Sequence, residues 1–151
     1  MRKTLLALFS VSLAAALAAD LANKKALTLD VAKQIAAVAE AEAVKYKWNV
    51  VIAIVDDGGH LIYLQRLDET QTGSVQVAQE KARTAAAFKR PTKALEDSIA
   101  GGRNAMLSLP AMPLEGGLPI VADGKVIGAI GVSGVTSQQD EIGRASCRER
   151  V

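Results

Sequence analysis

The side chains best suited to chemistry fall in one short stretch, Asp56-Asp57-Gly58-Gly59-His60, which holds the single histidine of the chain. A neutral imidazole can ligate iron or another metal and can exchange a proton near neutral pH. Two adjacent carboxylates could assist it as acid and base. The same residues also have a plainer use: Asp-Asp-Gly-Gly is what a tight reversal needs, because glycine tolerates positive φ and aspartate can bond its own backbone. On that reading His60 opens a strand and bonds backbone or water. No HExxH-like spacing and no second histidine accompany it, which argues against a multi-histidine metal centre. Ser74, Ser133 and Ser137 have no GxSxG elbow, which argues against a serine hydrolase.

Two glycine segments are further candidates. Gly116-Gly117-Leu118-Pro119 and Gly131-Val132-Ser133-Gly134 could present backbone N–H groups to an anion such as a carboxylate. Neither has the spacing of a phosphate loop. Lys81, Arg83, Lys89 and Arg90 would suit an acidic ligand, although a solvated helix face explains the same charges.

The elements that must position these residues follow from pattern. Residues 50–55 form an apolar, β-branched run bounded by turn formers, hence a buried strand, and a second strand begins at His60. Thr28 can cap a helix reaching about Lys47, with Val31, Ile35 and Val38 as its apolar stripe. A second helix is predicted over residues 74–88, with Val77, Lys81, Thr84 and Phe88 at helical spacing, ended by Pro91. Thr92 can cap a third helix reaching Ile99, closed by Gly101-Gly102. Residues 110–119 carry too many Gly and Pro for a regular element. Asp123-Gly124 then turns a second hairpin into an apolar strand, in which Gly128 and Gly131 suggest close approach by a backbone, a bulge or a ligand. The order predicts one α+β domain over residues 27–140, an antiparallel sheet of about five strands covered by helices.

The two ends read differently. Residues 1–18 have a positive start, an apolar run and an Ala-Leu-Ala cleavage pattern, so a signal peptide and an exported protein, periplasmic or extracellular, are expected. No membrane association is expected once it is cleaved. Ser137 to Asp140 have the spacing that caps a helix, yet no apolar periodicity follows, so a C-terminal helix is expected to be truncated. Residues 141–151 resemble an in-frame translation of a sequencing adapter and are expected to be a non-native tail. The chain carries 18 Lys+Arg against 16 Asp+Glu. The excess belongs to the ends, and without it no basic patch supports a nucleic-acid partner. The lone cysteine, Cys147, falls in the same tail, which removes disulfide and thiolate chemistry from the domain.

Several blocks taken together, Leu27-Thr28-Leu29-Asp30, Val51 through Leu61 with its Asp-Asp-Gly-Gly-His, Lys81-Ala82-Arg83-Thr84-Ala85, Gly116-Gly117-Leu118-Pro119-Ile120 and Gly128-Ala129-Ile130-Gly131-Val132-Ser133-Gly134, resemble the GlcG/HbpS family of small haem-binding proteins. They are also similar to the C-terminal domain of PduO-type cobalamin adenosyltransferases. The resemblance covers nearly all of the domain, in order. It implies a profilin-like α/β sandwich, homo-oligomers and haem as the cofactor, bound to sequester or sense haem and its iron. His60 would then be the candidate metal ligand. Gly116, Gly117, Pro119, Gly131, Ser133 and Gly134 would form walls of the site, with Lys81 or Arg83 near a propionate. Two other functions stay open: an enzyme or accessory protein acting on a small 2-hydroxy acid such as glycolate, with Asp57 and His60 as acid and base, and a purely structural assembly domain.

Overall fold

The computed structural model describes residues 23–136. The expected signal peptide, C-terminal helix and tail lie outside them. Helix α1 spans Leu29–Lys45, strands β1 and β2 span Val51–Asp56 and Leu61–Arg66, helices α2 and α3 span Ser74–Phe88 and Lys93–Ala100, and strands β3 and β4 span Gly117–Ala122 and Lys125–Ser133. A short 3₁₀ turn, Asn104–Ser108, follows α3 and was not expected. The strands form one antiparallel sheet in the order β2-β1-β4-β3, so the described residues contain four strands rather than five. The α+β class and the helix-covered antiparallel sheet are as the pattern predicts.

β1 is buried on both faces, and its alternation feeds two cores. Ile52 and Ile54 point to one face, where Ile120, Ile130 and Val132 meet α1. Val51, Ala53 and Val55 point to the other, beneath α2. Thr28 caps α1 by accepting a hydrogen bond from the Val31 N–H. The buried stripe of α1 is Ala32, Ile35, Ala36, Ala39 and Ala43, displaced from the expected one, with Val31 left exposed.

The α2 face is built for close approach. Its buried residues include Ala78, Ala82 and Ala85 together with Lys81 and Thr84 of the expected stripe, whereas the expected Val77 and Phe88 are half-buried. The sheet offers small residues in return, since Ala53 pairs with Gly131 and Gly131 with Gly117 across three strands. A methyl group placed on Gly131 would lie 2.0 Å from the Ala78 carbonyl oxygen, and one on Gly117 would lie 2.4 Å from that of Lys81. The helix backbone therefore fills the space above both glycines. Of the three explanations open for Gly131, close backbone approach is the one observed.

Pro119 is tolerated within β3 because that strand lies at the sheet edge, where a missing N–H breaks no inner ladder. Residues 110–116 are irregular, as expected, whereas Gly117–Pro119, expected to be irregular as well, open β3. Side chains of α2, of α3 and of Thr92 just before it strap the loop down. The Met112 N–H donates to Thr84 Oγ1 at 2.8 Å, the Glu115 N–H to a Glu96 carboxylate oxygen at 2.7 Å, and the Gly117 N–H to Thr92 Oγ1 at 2.9 Å. Thr92 accordingly does not cap α3 with its side chain.

Candidate functional site

The β1–β2 turn is organised by Asp56. Its Oδ1 accepts from the Gly58 and His60 N–H groups, both at 2.8 Å, and its carbonyl accepts from the Gly59 N–H at 3.1 Å. Gly59 takes the positive φ of 83° that the reversal requires. Asp56 Oδ2 lies 3.3 Å from His60 Nδ1. A carboxylate can only accept, so Nδ1 carries the proton and the lone pair of the neutral ring sits on Nε2. This is the arrangement by which a carboxylate orients a metal-binding histidine. Gly58 leaves room for it, since a methyl group there would lie 2.9 Å from Nδ1.

The carboxyl of Asp56 titrates below the usual range. Burial, the largest single influence, pushes it upward, but the His60 amide, the His60 ring and the Gly58 amide together outweigh that. With the folded value lowered, the stability contributed by this carboxylate is fully present above the unfolded value and is lost as pH falls through the folded one. An Asp56→Asn variant should therefore trail the wild type in thermal stability at pH 6, and the gap should close below about pH 4. A gap independent of pH, read by thermal melts across that range, would contradict this role for Asp56.

Arg83 joins the same turn from α2. Its Nε donates to the Gly59 carbonyl at 3.3 Å and its stem packs against that glycine, while Nη1 pairs with Glu80. Asp57 points elsewhere and forms an ion pair with Lys24. The carboxylate on His60 is thus Asp56, not the Asp57 expected for an acid/base pair.

The remaining sequence candidates do not gather at His60. Lys81, read from sequence as a surface base, is buried beneath α2 and donates from Nζ to the Val132 carbonyl at 3.1 Å. Gly117 has its N–H taken by Thr92, and Gly131 is covered by α2. The Gly116 carbonyl accepts from the Val132 N–H, and Pro119 lies within edge strand β3. Ser133 and Gly134 lie at the far end of β4. Asp56 pairs with Gly128 and Val51 with Ser133, which puts roughly 17 Å of strand between them. The His60–Arg83 turn is therefore one place, the covered glycine row with Lys81 a second, and the Ser133–Gly134 corner a third.

Sequence reasoning missed a cleft of 530 Å³ beside the His60 turn, between the two hairpin turns and the end of α2. Lys24, Lys89 and Lys125 line it over Ala86, Val121 and Val126. Its residues come from four separate segments, and only the basic exit of α2 hinted at it. The described residues hold no group of three or more His, Cys, Asp or Glu placed to hold a metal ion, and none of their helices is long and apolar enough to cross a membrane.

A four-stranded antiparallel sheet between helices, with an oriented histidine at one turn, makes this a small α/β-sandwich domain. The profile of the HbpS-like family, described as haem degrading proteins, matches residues 27–144, and the chain belongs to that family. It is 46% identical over 112 residues to protein GlcG of Escherichia coli K12, an alignment covering 74% of this chain and 84% of GlcG. Among solved structures, the Klebsiella pneumoniae protein ORFY superposes with a TM-score of 0.74 at 32% identity, covering 85% of this chain and 95% of that one. A complex of PduOC with heme gives 0.74 at 29% identity, covering 82% and 94%. The family and the haem complex among its structural neighbours point to a haem-related function.

Proposed function

We propose that this protein binds haem at the β1–β2 turn, as an exported homo-oligomer that sequesters or senses haem. The observation that carries the reading is the His60 ring, held through Nδ1 by Asp56 with Nε2 left open to a metal. The turn fits the group in three respects, since haem needs an axial donor, a cation near its propionates and apolar cover. His60 supplies the donor, Arg83 the nearby cation, and exposed Leu61 the start of an apolar contact. The His60 side chain is 83% exposed, so its own neighbours do not enclose a porphyrin. A second copy of the chain is the proposed source of the remaining cover, and export rests on the pattern of residues 1–18.

Adding hemin to the purified protein should produce a Soret band that saturates at a fixed stoichiometry per chain, with an assembly larger than a monomer by light scattering. No spectral change at micromolar hemin would remove the reading.

A further inference from the structure

We propose that the 530 Å³ cleft between the two hairpin turns binds an organic dianion with two carboxylates on an apolar stem. Its size is that of an ordinary small-molecule site. The floor, Ala86, Val121 and Val126, is apolar, and Val121 is 40% exposed. The rim carries the Lys24–Asp57 ion pair and the ammonium groups of Lys89 and Lys125, which outweigh the partial negative charge at the C-terminus of α2.

The charge count sets the ligand. Asp57 is paired with Lys24, and Asp123, on the neighbouring turn, with Lys25 at 2.8 Å. Lys89 and Lys125 have no carboxylate partner among the described residues. Two unneutralised cations over an apolar floor match two carboxylates and a hydrocarbon stem. The backbone at Lys89 points the same way. It ends α2 in the left-handed conformation, φ 52°, a position where glycine is the usual residue. A lysine there accepts a conformational cost in exchange for a cation at the cleft.

Such a dianion could be a free short-chain dicarboxylate or the carboxylate edge of a porphyrin. Only the second source rests on the haem reading. Calorimetric titrations with succinate and glutarate, and with hemin against hemin dimethyl ester, separate them. The variant is Lys89→Gly/Lys125→Gln, in which glycine relieves the left-handed position, so its melting temperature should not fall. For a free dicarboxylate, succinate or glutarate binds without hemin, weakens with added salt, and loses about tenfold or more in affinity in the variant. For a porphyrin edge, hemin loses about that much and the dimethyl ester does not. A variant that binds every probe as the wild type does, or a wild type that binds none of them, overturns the proposal. His60→Ala should leave dicarboxylate binding intact, so failure of the haem reading and failure of this one are distinguishable.

Discussion

Gly131→Ala should destabilise the domain by about 3 kcal/mol, lowering its melting temperature by roughly 10 °C or more. The reason is geometric. The added methyl group would sit 2.0 Å from the Ala78 carbonyl oxygen and 2.6 Å from the Ala82 nitrogen, and both atoms belong to the backbone of α2. A flexible side chain could swing aside, but a helix must move as a body. Moving it opens the contacts of Ala82 and Ala85 with Val55 and Ala129 beneath. Gly73→Ala is the control, since nothing lies within 4 Å of a methyl group there, and its effect should stay near zero. Thermal melts of the two variants check the claim. Equal melting temperatures would mean that α2 does not rest on the glycine row.

Thr92→Val should cost about 1–3 kcal/mol although it conserves shape. Thr92 is fully buried and its Oγ1 accepts the Gly117 N–H at 2.9 Å. Valine leaves that donor buried without an acceptor, and an unpaired buried N–H carries its full desolvation penalty. The Gly117 carbonyl would still accept from the residue 92 N–H, at 3.0 Å in the native chain, so β3 should remain docked while residues 110–116 loosen. Thr92→Ser keeps the acceptor and should recover most of the loss. Chemical denaturation gives the energies, and hydrogen exchange at Gly117 reports the bond itself. Equal stability of the Val and Ser variants would contradict the strap.

Local chemistry made much of this fold legible. The bounds of α2 come out as read, because Gly73 and Pro91 punctuate a continuous helical pattern. The Asp123-Gly124 turn shows positive φ at both residues, as a two-residue hairpin demands. The buried face of α2 was legible only in part, since Lys81 and Thr84 of the expected stripe are buried and Val77 and Phe88 are half-buried. Val77 and Phe88 look like core residues until the helix is known to lie on glycine and alanine, which only a small stripe such as Ala78, Ala82 and Ala85 can meet. That information sits in β3 and β4, far along the chain. The same non-local fact explains the glycine segments. Sequence shows that Gly117 and Gly131 leave space and does not show that α2 fills it. Lys81 misled for a related reason, since a lysine on a basic helix reads as solvated until Val132 is found above its ammonium group. The Asp56–His60 relation was nearer the surface of the sequence, because the turn brings residues four apart together.

The most direct test of the haem reading is a hemin titration of wild-type protein and His60→Ala side by side, followed by absorbance in the Soret region. If His60 Nε2 is the axial donor, the alanine variant should bind hemin about tenfold or more weakly and lose the ligand-dependent shift of the band, and added imidazole should restore the shift. A variant with the spectrum and affinity of the wild type would contradict the assignment of His60 and with it the site at the β1–β2 turn.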